Sequence, residues 1–279
     1  IYGGQNMFKH STYYFSQSFI EESRLSEGAI AQRIEAMKGF LKSDTAPNPE
    51  EWDQHWASLS KTDVSFASIH NHIKKAIKNH ESLLRDNPKT EWDYVVLQSW
   101  RDVSDQPNQA YERYATNLAE IAKAQGAQVI LYMTSPETQN QDPVAKPYNV
   151  ASADRDTVVG RRMKKALQPK SVIPVPLAIK HIQTGDADRP GTDLVFRYHN
   201  DGHPNQTCAF LVTNLFYEAI TGKSPEGLEF NSVTETKLKN GKDPDGGEPT
   251  VVFGNEEKAY IQWMAHESML EFNRCSSDH

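Results

Sequence analysis

Cysteine is scarce in this sequence. Its two cysteines, Cys208 and Cys275, do not form a Cys-x-x-Cys pair, which argues against a zinc ribbon or a dithiol redox centre. Cys208 falls on the apolar side of a helical pattern and reads as a plain buried thiol; its pairing with Cys275 stays open. No apolar run approaches the ~20 residues needed to span a bilayer, so no membrane partner is expected. Basic residues are in the minority, with 30 Lys and Arg against 37 Asp and Glu and a net charge of -7. Such a chain lacks the excess of phosphate-neutralising charge that nucleic-acid binding needs. Repeats and low-complexity tracts are absent, and no glycine occurs between Gly39 and Gly126. The first residue is Ile1 rather than Met; a processed export signal, and with it a periplasmic or secreted location, is the expectation drawn from this.

What is present is a regular alternation of short apolar runs and helical patterns. The runs are Trp92–Trp100, Ala127–Thr134 and Ser171–Val175, the last two preceded by helical stretches at about 110–125 and 154–167. Short, β-branched runs of this kind suit parallel strands buried on both faces. Gly126 stands where a C-cap glycine belongs. Further helices are expected over about 10–24, 27–41, 65–84, 206–221 and 255–272. In the basic run Arg161–Lys165 the charges read as a solvated face, with Val158, Val159 and Met163 turned inward. The whole, residues 1–279, reads as a single α/β domain with polar excursions near 43–61, which carries Trp52 and Trp56, and near 225–250.

The stretch with the densest chemistry is Tyr198-His199-Asn200-Asp201-Gly202-His203-Pro204-Asn205. A strand-like run, Asp193–Arg197, leads in and a helix leads out. Loops at the carboxyl ends of parallel strands are where α/β folds hold ligands, so four loops are expected to meet: 3–7, 98–101, 134–137 and 199–205. His199, Asp201 and His203 alternate and would share a face of an extended segment. The pattern allows a metal there, but solvated imidazoles around one acid/base histidine, with no metal or other cofactor, are the expectation. His70 and His72 sit in a helical pattern, where residues two apart point ~200° apart and do not share a metal.

These runs together carry a resemblance. Trp92–Ser99, Gly126–Thr134, Asp201-Gly202-His203-Pro204-Asn205 and the helix ending Phe216–Pro225 resemble the SGNH/GDSL hydrolase superfamily, in its bacterial, carbohydrate-associated branches. The likeness covers roughly residues 60–225. It implies a three-layer α/β/α sandwich with a flavodoxin-like parallel sheet. It also implies hydrolysis of esters, often acetyl groups on sugars, so the implied partner is a carbohydrate or acylated carbohydrate. By that resemblance His203 is the general base. The orienting position three residues earlier is Asn200 where the family has aspartate, and Asp201 is the neighbouring carboxylate. An Asn carbonyl can fix the tautomer of an imidazole but cannot stabilise imidazolium by charge.

The first family block falls on Gly4-Gln5-Asn6-Met7, which contains no serine. Asn6 and Gln98 are the candidate amide donors to an oxyanion, and Ser11 is the hydroxyl to test as nucleophile, against its alternative role as a helix cap. Gln5, Trp100, Arg101, Glu137 and His199 complete the candidate substrate contacts, Trp100 by stacking on a sugar and Arg101 by a bidentate contact to an acidic group. Two further readings remain open. One is glycoside cleavage by His203, Asp201 and Glu137 without a serine. The other is a non-catalytic sugar-binding protein that keeps Trp100, Gln98 and Arg101.

Overall fold

The computed structural model describes residues 92–98, 110–124, 126–134, 150–185, 190–199 and 203–274. The expected helices within 10–84, the excursion at 43–61 and His70 and His72 lie outside them. The chain divides into two units, one formed by Tyr94–Glu112 with Gln128–His279 and the other by Ile1–Asp93 with Arg113–Ala127. In the second unit, the described residues are Trp92, Asp93, the main part of helix α1 (Ala110–Ala124), which starts in the first, and its cap. Gly126, at φ +88°, donates its N–H to the Lys123 carbonyl, and Ala127 donates to that of Ala122. That is the glycine-dependent helix stop anticipated from the sequence.

The first unit is mixed α/β. Its sheet holds β1 (Tyr94–Leu97), β2 (Gln128–Met133) and β3 (Ser171–Pro174), all parallel and in that order. Val129, Ile130 and Leu131 of β2 are all buried, as the continuous apolar run requires of a central strand covered on both faces. Helix α2 (Val150–Leu167) connects β2 to β3. It buries Val159 and Met163, but Val158 faces outward, 55% exposed, contrary to the inward position expected from the sequence. Its basic run is partly engaged: Arg162 pairs with Glu112 at 3.0 Å, and the Arg161 guanidinium lies 5.8 Å from the Phe272 ring centre.

Two elements depart from the sequence pattern. Strand β3 passes without a loop into a helix, α3 (Val175–Thr184), which the sequence reading did not anticipate. Pro176 lies in its first turn, where the lost N–H has no helical acceptor and costs nothing. Val175, Ala178, Ile179 and Ile182 form its buried stripe. The run Asp193–Arg197 is not a strand of this sheet. Its carbonyls find other partners: the Gln183 side-chain amide at the end of α3 donates to that of Leu194 at 3.3 Å, and Asn205 donates to those of Val195 and Phe196, while the preceding Thr192 donates its N–H to the Ile182 carbonyl at 2.9 Å.

Helix α4 (Gln206–Thr221) and helix α5 (Asn255–Arg274) close the core. Between them, where an irregular excursion was expected, an antiparallel ribbon pairs β4 (Ser232–Thr234) with β5 (Thr250–Val252). The core gathers Ile130, Ile173, Ile179, Phe196, Phe210, Leu215, Phe253, Ile261 and Met269. Phe210 stacks on Phe253 at 4.3 Å between ring centres. Two imidazole–carboxylate contacts join α5 to its neighbours, His266 to Glu218 of α4 at 3.0 Å and His181 of α3 to Glu271 at 2.8 Å. No helix among the described residues is long and apolar enough to cross a membrane.

The direction of α4 fixes the position of the site. Near its C-terminus the Ile220 carbonyl accepts from Lys170 Nζ at 2.9 Å, and the same ammonium donates to the Tyr94 hydroxyl at 2.8 Å. Lys170 immediately precedes β3 and Tyr94 begins β1, so this end of α4 lies at the amino edge of the sheet. Farther up, Phe216 meets Tyr132 near the end of β2, ring centres 5.4 Å apart. The 16 residues of α4 rise ~24 Å, whereas the six of β2 span ~20 Å. Helix α4 therefore runs against the strands, and its N-terminus projects past their carboxyl edge.

Two outcomes follow from this packing. A Cβ built on Gly191 would stand 2.2 Å from the Gln183 carbonyl oxygen, so Gly191→Ala should lower stability by about 2–3 kcal/mol, read from urea unfolding. Cys208 is a free, fully buried thiol whose pKa burial pushes up to about 12, and burial likewise raises that of Tyr132. The native state thus holds protons that the unfolded chain releases above ~8.5 for the thiol and ~10 for the phenol. Stability should be intact below pH ~8.5 and fall as pH rises towards 12, by about 1.4 kcal/mol per pH unit for each such group. Cys208→Ser should not remove the Tyr132 part of that fall.

Candidate functional site

The candidate site is built on a backbone hairpin. Arg197 and Pro204 form an antiparallel bridge. Tyr198 donates its N–H to the His203 carbonyl at 2.8 Å, and Asn205 donates to that of Phe196 at 3.2 Å. His199 and His203 therefore stand on either side of a tight turn, both exposed, past the carboxyl edge of the sheet. The turn's tip, Asn200, Asp201 and Gly202, lies outside the described residues.

Asn205 joins this hairpin to the helix that follows. Its side-chain oxygen accepts the Cys208 N–H at 3.1 Å, capping α4, while its Nδ2 donates to the Val195 carbonyl at 2.8 Å. One amide thus satisfies an orphan helical donor and an orphan carbonyl of the incoming segment. Only an amide does both: Asp would cap without donating, and Ser would not reach both.

The ribbon and its connection, residues 235–249, fold against the hairpin. The Tyr198 ring is buried, 2% exposed, and its hydroxyl lies 2.9 Å from both Gln206 Oε1 and Glu235 Oε2. It has one proton to give, and the carboxylate is the stronger acceptor. Burial first, and then the Glu235 carboxylate, push the Tyr198 phenol above its ordinary pKa. Glu235 is held below the usual carboxylate range chiefly by the Lys237 N–H, 2.7 Å from its Oε1, with help from Tyr198. Asp245 Oδ2 accepts the His199 N–H at 2.8 Å. Asp243 organises its own turn, its Oδ1 accepting the N–H groups of Asp245 at 3.0 Å and Gly247 at 2.7 Å. Gln206 Nε2 reaches the Pro249 carbonyl at 3.2 Å.

Of the residues singled out from the sequence, Gln98, His199 and His203 are described. Gln98 is half-buried at the carboxyl end of β1, on the same edge of the sheet as the two histidines. Gln5, Asn6, Ser11, Trp100, Arg101, Glu137, Asn200 and Asp201 lie outside the described residues. Among the described residues no group of three His, Cys, Asp or Glu side chains is arranged to hold a metal ion. The chain matches no protein-family model, no curated protein and no solved structure.

The residues that sequence reasoning missed are Tyr198, Gln206, Glu235, Asp243 and Asp245. Asp243-Pro244-Asp245-Gly246-Gly247 announces a turn by composition, but nothing local says that the turn returns to His199. Asn205→Ala removes the cap and the tie to Val195 together. It should cost about 2 kcal/mol, measured by thermal or urea unfolding, and Asn205→Asp, which keeps the cap alone, should recover about half.

Proposed function

We propose that the chain is an SGNH-like hydrolase, a three-layer α/β/α sandwich acting on a carbohydrate or acylated carbohydrate with His203 as its general base or acid. The observation that carries this reading is the placement of His203. It is exposed on a pinned hairpin past the carboxyl edge of a parallel sheet, directly before Pro204 and the N-cap of α4. That edge is where open α/β sheets bind ligands. Helices α2 and α4 both pack against the sheet, as a layered sandwich requires. Gln98, at the end of β1, is suitably sited to donate from its amide to a developing oxyanion. Ser11 is the hydroxyl assigned to attack the ester, activated by His203; Asn6 is the second amide donor. In this reading Asn200, or Asp201 in its stead, is the partner assigned to the imidazole, and Gln5, Trp100, Arg101, Glu137 and His199 are the candidate substrate contacts.

Fluorophosphonate labelling of the intact protein, read by peptide mass spectrometry, tests this directly. The expected result is one labelled hydroxyl, with the rate of labelling falling roughly 10²–10⁴-fold in His203→Ala. A folded sample that takes no label would sink the serine mechanism. Assay would then turn to glycoside cleavage through Asp201 and Glu137, and to sugar binding by Trp100 and Arg101 without turnover.

A further inference from the structure

Far along the chain from the histidines, one segment among the described residues makes contacts that restrain their turn from outside. Residues 235–249 approach the hairpin at three points. Asp245 takes the His199 N–H at 2.8 Å, across 46 residues of sequence. Glu235 takes the Tyr198 hydroxyl at 2.9 Å, across 37. Gln206, at the start of α4, is held between the Tyr198 hydroxyl and the Pro249 carbonyl. Tyr198 in turn donates its N–H to the carbonyl of His203.

We propose that residues 235–249 form a positioning strap for the His203 turn, with Asp245, Glu235 and Tyr198 as its positioning residues. The strap is itself stiff. Asp243 accepts two N–H groups of its own turn, and β4 and β5 pair on either side of it, continued by the Glu235 N–H donating to the Pro249 carbonyl at 2.8 Å. A carboxylate on the His199 N–H fixes one arm of the turn, and a phenol wedged between Gln206 and Glu235 fixes the residue whose N–H holds the other. The histidine is then aimed by a loop that shares no local sequence with it, as an acid/base group must be if its ring is to meet a substrate proton at hydrogen-bond distance. The consequence for activity rests on the reading of His203 as the acid/base residue; the restraint of the turn does not.

Nuclear magnetic resonance of the full chain separates the two. In Asp245→Ala the His199 amide should exchange with solvent about tenfold faster, the loss of one charge-assisted hydrogen bond. The His203 ring resonances should shift. Asp245→Asn, which keeps an acceptor oxygen, should restore most of both. Glu235→Gln, which leaves the Tyr198 ring in place, should move the His203 ring signals with the fold intact. Unchanged His203 ring signals in both Asp245→Ala and Glu235→Gln would overturn the strap. Fluorophosphonate labelling of the same samples reads the other question: a wild-type protein that takes no label, yet shows these shifts, keeps the strap and loses the catalytic assignment. If the wild type does label, its rate should drop in Asp245→Ala and recover in Asp245→Asn.

Discussion

Asn205 bonds in two directions, and the carboxyl edge of the sheet depends on it. Its oxygen starts α4 and its nitrogen holds the segment that arrives from α3. The segment is not paired into the sheet. It is held instead by side-chain amides, Asn205 at one point and Gln183 at another. The apolar residues around this junction, Phe196, Cys208 and Phe210, are fully buried. The polar clamp therefore operates where water competes least, and leaving its partners unpaired would cost most.

Charge is distributed to the same end. The acidic groups of the strap are not a loose cluster of repelling carboxylates. Asp243 and Asp245 each accept backbone N–H groups and Glu235 accepts one from Lys237. Glu235 is thereby stabilised in its charged form by donors of fixed position. At the opposite edge, Lys170 offers one ammonium to the Ile220 carbonyl near the end of α4 and to the Tyr94 hydroxyl. A cation at that end also complements the helix dipole. Helix α4 is thus fixed at both ends by side-chain donors and acceptors and along its middle by aromatic packing.

Much of this architecture could be read in the sequence because it rests on local pattern. The apolar runs that became β1, β2 and β3, the C-cap at Gly126 and the bounds of α4 all follow from periodicity and capping chemistry. Helix α3 was hidden because Pro174 and Pro176 look like breakers until Pro176 is seen to occupy a first turn. Asp193–Arg197 reads as a strand because its composition suits one, but the choice of hydrogen-bond partner was made by the end of α3, outside any local window. For the site, His203 before Pro204 and Asn205 was visible as a motif. The return of Asp245 and Glu235 to the hairpin was not, since contacts 46 and 37 residues apart leave no periodic trace.

The direct passage of β3 into α3 limits how this edge could be altered. After β3 there is no connection to lengthen. Each residue added there would advance the helical phase by ~100° and turn Val175, Ala178, Ile179 and Ile182 away from the core they now fill. The third strand therefore behaves as a fixed pivot of this edge.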